Sequence, residues 1–142
     1  MLNLHLIECT LKGYDHISDL LLAKYWVITG CKYLGCSSLK EVIIPDKVAS
    51  IEQEAFSGSS FNKIIIGKNV TKIGIYSLCT TCNTAEYYCY AVTPPTLEQK
   101  YTESPFTKES KATAKLYVPT GCAAVYRSSH WKQYFNNIIE MD

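Results

Sequence analysis

The sequence predicts a mainly β solenoid: a right-handed coil of short parallel strands closed by a small helical cap at its C-terminal end. Two observations carry this expectation. Six apolar positions recur at one interval, Leu39, Val42, Ile44, Val48, Ile51 and Phe56 being answered by Phe61, Ile64, Ile66, Val70, Ile73 and Leu78, each 22 residues further on. Each unit also contains a short apolar run of strand length, which in the first unit is stopped by Pro45, a residue with no N–H to give to a ladder. A period of roughly 20–29 residues with one strand per unit is the signature of stacked coils that share a core.

Within a unit, alternation assigns the faces. Val42 and Ile44 share one side of the strand and turn inward, as do Ile64 and Ile66; Glu41 and Ile43, then Lys63 and Ile65, point the other way. Val48 and Ile51 fold back under the same core, Phe56 closes the coil, and Ser57-Gly58-Ser59-Ser60 turns the chain. Two coils order about forty residues at about 1–2 kcal/mol each. Their ladder side chains return only about 2 kcal/mol each, so the flanks must act as caps.

The residues that carry the pattern are Cys36-Ser-Ser-Leu39-Lys-Glu-Val42-Ile-Ile44-Pro45, then Val48-Ala-Ser-Ile51-Glu-Gln-Glu-Ala55-Phe56. They resemble the BspA-type leucine-rich-repeat family, found mostly in bacterial surface proteins and in some protist ones. That family reads Cys-x-x-Leu-x-x-Val-x-Ile-Pro followed by Val-x-x-Ile-x-x-x-Ala-Phe. The tail from Lys115-Leu-Tyr-Val-Pro119 through Tyr126, Trp131 and Ile138 is similar to the closing segment of such arrays in Bacteroides relatives. The resemblance covers about Ile28 to the C-terminus. It implies a non-catalytic protein-binding module that works in surface adhesion or in recognition of host and matrix proteins.

One domain is expected over residues 1–142: a degenerate N-terminal cap over 1–27, repeats over 28–92, a loop over 93–113 and a capping segment over 114–142. In the first part, Leu2, Leu4 and Leu6 alternate as in a strand, and Tyr14–Tyr25 reads as a short helix or a decayed repeat. Ile28 parallels Ile51 at an offset of 23 rather than 22, the second half of an earlier coil. For the third coil, alignment of Cys82 with Cys36 sets Ala85, Tyr88 and Tyr90 at the places of Leu39, Val42 and Ile44, which leaves Tyr87 and Cys89 facing outward. Thr93-Pro94-Pro95 stops that strand. The polar stretch Thr96–Lys111 reads as a mobile loop, with Phe106 tucked inward. Leu116 and Val118 then repeat the inward pair before Pro119. Cys122–Tyr126 suggests a helix, Trp131–Phe135 a tighter turn, and Ile138-Ile139 a last strand over the open end.

Composition limits the function. With 47% hydrophobic and 19% charged residues the chain forms a core. Fourteen basic against thirteen acidic residues, without a basic stripe, give no footprint for nucleic acid. No run of about 20 apolar residues is present, so membrane insertion is not expected. Met1–Ile7 has neither a basic start nor a small-residue cleavage site and is no signal peptide as written. The cell-surface or secreted location that the resemblance implies therefore points to an upstream start or a truncated gene.

Seven cysteines (Cys9, Cys31, Cys36, Cys79, Cys82, Cys89 and Cys122) raise the one chemical question. Cys79-Thr-Thr-Cys82 admits redox work or half a zinc site completed by Cys31 and Cys36. Packing thiols fit better, because Cys36 and Cys82 occupy equivalent repeat positions, and some disulfide pairing stays open. His5, His16 and His130 form no metal or triad motif, and His16 with Asp15 and Asp19 reads as a solvated helix face. No phosphate-binding glycine loop or nucleophile elbow occurs, so no cofactor and no catalysis are expected. The feature that points to function is the outward strand face, with Glu41, Ile43, Lys63, Ile65 and Tyr87 as the partner-binding residues. β-Branched residues also stand there simply because strands favour them. The alternative reading is a structural spacer or terminal piece of a longer array; the ligand and the oligomeric state are not read from the sequence.

Overall fold

Three equivalent turns set the architecture. After three of the strands the chain is stopped, at Pro45, Gly67 and Pro119, and the same backbone hydrogen bond reverses it: Val48 to Pro45 at 3.0 Å, Val70 to Gly67 at 3.3 Å and Cys122 to Pro119 at 3.0 Å. The computed structural model describes the backbone of residues 26–28 and the whole of residues 41–142. The expectations for Leu2–Leu6, for Tyr14–Tyr25, and for Cys9, Cys31 and Cys36 lie outside the described residues.

Strands β1 (Trp26–Ile28), β2 (Glu41–Ile44), β3 (Val48–Ile51), β4 (Lys63–Ile66), β5 (Lys72–Ile73), β6 (Glu86–Cys89), β7 (Thr96–Leu97), β8 (Lys115–Val118) and β9 (Asn137–Glu140) follow one another. They divide into two sheets, of order β2-β4-β6-β8-β9 and β1-β3-β5-β7, and every pair in both is parallel. Parallel neighbours separated by a full unit of chain are what a solenoid makes. A 22-residue step brings Val42 beside Ile64 and Ile44 beside Ile66, as the spacing predicts. In β1 the offset of 23 is also met: Ile28 pairs with Ile51 after an irregularity between Trp26 and Val27.

The core changes character along the axis. Val42, Ile44, Val48, Ile51, Ile64, Ile66, Val70 and Ile73 are buried aliphatic columns. Beyond them the interior turns aromatic. Tyr87 meets Phe61, Phe106 and Phe135 edge-on, at centroid distances of 6.1, 5.4 and 5.1 Å. Phe106 lies 5.1 Å from Trp131 and 5.0 Å from Phe135. The third coil is longer, with steps of 23 from Ile64 to Tyr87 and 24 from Ile73 to Leu97. Larger rings fill the larger section. Their polar ends are satisfied by main chain: Tyr87 donates to the Leu78 carbonyl at 3.1 Å, Tyr126 to Ala91 at 2.7 Å, and Trp131 to Pro95 at 2.9 Å.

Two expectations are corrected. Tyr87 and Cys89 do not face outward: they are buried, and they pair with the inward Ile64 and Ile66. The turn before β6 gains one residue relative to the preceding step, whereas matching Cys82 to Cys36 assumed two over the pair of coils, and one residue of slip inverts a strand. The stretch 93–113 is also more than a loop. It supplies β7, whose Leu97 is buried against Ile73, a 3-10 turn at Lys108–Ser110, and the buried Phe106. The tuck of Phe106 is as expected. A helix α1 (Ala123–Arg127) and a 3-10 turn (His130–Gln133) then pack beside β9, which closes the five-stranded sheet.

Candidate functional site

Alternation in the five-stranded sheet puts every second side chain on the side away from the core. Because the strands are in register, these side chains fall into two rows. The first reads Glu41, Lys63, Glu86, Lys115 and Asn137; the second reads Ile43, Ile65, Tyr88, Tyr117 and Ile139. Of the five residues expected from the sequence, Glu41, Ile43, Lys63 and Ile65 come together here. Tyr87 is 1% exposed on the core side, and its neighbour Tyr88 holds the outward place.

The charged row is paired along its length. Lys63 Nζ lies 3.1 Å from the Glu41 carboxylate, and Lys115 Nζ lies 3.8 Å from that of Glu86. All four side chains keep a third to a half of their surface in water, so each pair contributes at most about 1 kcal/mol. The apolar row is knit by rings. Tyr88 and Tyr117 stack at 4.4 Å with 7° between planes, and Lys63 Nζ sits 5.5 Å from the Tyr88 centroid. Tyr88 donates to Glu86 at 3.1 Å, and its phenol is pushed up to about 12, by desolvation first and by the Glu86 carboxylate second. At neutral pH the face therefore presents a neutral phenol and two compensated ion pairs. Ile43, 47% exposed, and Ile139, 39% exposed, stand at the two ends of the row.

Tyr88, Tyr117, Ile139, Glu86 and Lys115 were missed by sequence reasoning. A signal existed for two of them: once Leu116 and Val118 are turned inward, Lys115 and Tyr117 must point out. Tyr88 depends on the length of a turn, and Glu86 follows from it.

The cysteines take another place. Cys79, Cys82, Cys89 and Cys122 are free thiols. Burial pushes the Cys79 thiol up to about 11, a nearby Thr107 hydroxyl opposing this only in part, and its Sγ lies 3.5 Å from the Pro105 carbonyl. Burial likewise raises Cys89, whose Sγ lies 3.2 Å from the Tyr126 hydroxyl oxygen. Buried thiols held protonated in this way are the reverse of what redox or metal chemistry requires. Among the described residues no group of three or more His, Cys, Asp or Glu is placed to hold a metal ion, and no helix is long and apolar enough to cross a membrane.

Residues 22–116 match the family model described as the BspA type leucine rich repeat region (6 copies), which spans more than half of the chain. The chain belongs to the BspA-type leucine-rich-repeat family. No curated protein and no solved structure gives a match. BspA-type repeats generally mediate protein interactions, are generally non-catalytic and are typically surface-associated.

Proposed function

We propose that this chain is a non-catalytic recognition module that binds a protein ligand through the outward face of its five-stranded sheet, in surface adhesion or in recognition of host or matrix proteins. Glu41, Ile43, Lys63 and Ile65 form one half of the contact surface and Tyr88, Tyr117 and Ile139 the other. The observation that carries the reading is the apolar row itself. Five aliphatic and aromatic side chains lie side by side on one solvent-facing sheet, bordered by charges that neutralise one another. Such a strip with a polar rim is the anatomy of a contact surface.

A panel of matrix and cell-surface proteins, immobilised and probed with the chain, supplies the test. Ile43→Ser with Ile65→Asp is expected to weaken capture at least about tenfold, or about 1.4 kcal/mol, with the melting curve retained. Lys72→Glu, on the other sheet, is expected to leave capture unchanged. Equal capture by both variants would reject the face. A spacer is the second reading, favoured by the ring faces of Tyr88 being covered by Tyr117 and approached by Lys63 within the chain. A spacer captures nothing from the panel.

A further inference from the structure

The order of charges on the strand face has a consequence beyond pairing within the chain. Within the chain the order acid-base-acid-base avoids the like-charged middle neighbours of acid-base-base-acid, and between chains it does more. The chain has the first: Glu41, Lys63, Glu86, Lys115. Only that order is complementary to its own reverse. A two-fold axis that runs along the strands between β4 and β6 lays one face on an identical face with the row order reversed. Glu41 then meets Lys115 of the partner subunit, and Lys63 meets Glu86 of the partner subunit. The second row matches in the same superposition: Ile43 meets the partner's Tyr117 and Ile65 meets the partner's Tyr88, aliphatic on aromatic at every place. A two-fold axis across the strands sets each charge on its own copy or, midway between the rows, on the partner's apolar row, and either is disfavoured.

We propose that the occupant of this face is a second copy of the chain, docked isologously with both rows in contact. The inference rests on the reading that the strand face is the contact surface, and it names that partner. The four overlapping strands, about 4.8 Å apart with two outward residues each, cover on the order of 250 Å² a side, and β9 lies outside the overlap. This is well under the about 800 Å² a side of stable complexes, so the pairing is of the weak, concentration-dependent class. At the low concentrations of an adhesion contact the face is open to another protein; where copies are crowded, self-pairing covers it.

Sedimentation velocity on the intact chain, from about 10 μM to about 1 mM, is the test. The wild type is expected to show a dimer that grows with concentration and recedes with added salt. Glu41→Lys alone and Lys115→Glu alone are each expected to weaken association about tenfold, because each sets like charges across the axis. Glu41→Lys together with Lys115→Glu is expected to restore it, although both in-chain ion pairs are then broken. That rescue is what a merely in-chain role cannot produce. Should the outer swap unfold the chain, the inner swap Lys63→Glu with Glu86→Lys carries the same expectation. A wild type that is monomeric throughout, or a folded double swap no more dimeric than its single variants, overturns the pairing. Neither result touches recognition of a different protein, which the capture panel decides through Ile43 and Ile65.

Discussion

Ser77 shows how closely one position is set by the coil before it. It stands 22 residues after Ala55, in the same buried place, and its hydroxyl finds no hydrogen-bond partner among the described residues. A buried unpaired hydroxyl costs about 1–3 kcal/mol. Ser77→Ala, which copies the preceding coil, is therefore expected to raise stability by about 1 kcal/mol in a denaturant titration. Gly74 is the opposite case. A Cβ there would lie 2.5 Å from the Gln53 nitrogen, a backbone atom of the coil beneath. Gly74→Ala must push two coils apart and is expected to cost about 2 kcal/mol in the same titration. Glu54 and Tyr76 also answer one another across one repeat, both with φ near 60°, a conformation that side chains seldom adopt. The thiols extend the contrast to reactivity. With its thiol raised to about 11, Cys79 is expected to react with iodoacetamide at pH 8 many-fold more slowly than an ordinary exposed cysteine, as read by mass spectrometry.

At the scale of elements, the cap holds the third coil by its aromatic side chains. Phe106 comes from the polar stretch between β7 and β8 and lies against Tyr87, Trp131, Tyr134 and Phe135. Phe106→Ala is expected to cost about 3–5 kcal/mol and to release hydrogen-exchange protection in β7 and the cap before β2 and β4. The last strand is latched electrostatically. The Glu140 carboxylate accepts from the Ala123 N–H at 3.0 Å, and hydrogen bonds from Gly121 and Ala123 hold its pKa below the ordinary 4.5. A depressed acid contributes stability that is complete above the unfolded value and is lost as pH falls through the folded one. Melting of the wild type is thus expected to lose this contribution below about pH 4.5, while Glu140→Gln lacks it at every pH. Arg127 donates to the Ile138 carbonyl at 2.8 Å and so covers part of the closing strand where another chain would add.

At the scale of the whole molecule, the architecture was legible because stacked coils must repeat their inward residues at a fixed step. Leu39–Phe56 and Phe61–Leu78 announce the core, and the pairs Val42–Ile64 and Ile44–Ile66 follow from subtraction alone. Leu116 and Val118 were legible because they repeat the inward pair just ahead of a proline, Pro119. The third coil was not, because a turn can lengthen by one residue or by two at nearly equal cost, and the parity of that number decides which tyrosine is inside. Half of the candidate face hung on it. β7 was obscured because two residues are too few for alternation to be seen, and its stabilising partner, Ile73, is far away in sequence. The ion pairs and the stacked tyrosines came into view only with the register between strands.

That register is also where the account is most directly tested. Tyr87→Ser and Tyr88→Ser, compared by urea denaturation, measure which ring belongs to the core and which to the face. With Tyr87 buried among Phe61, Phe106 and Phe135, its loss is expected to cost about 3–5 kcal/mol. Loss of Tyr88 forfeits one stacked pair and costs under about 1.5 kcal/mol. The reverse order, Tyr88 the costly one, would turn β6 over and remove the apolar row from which the recognition face is built.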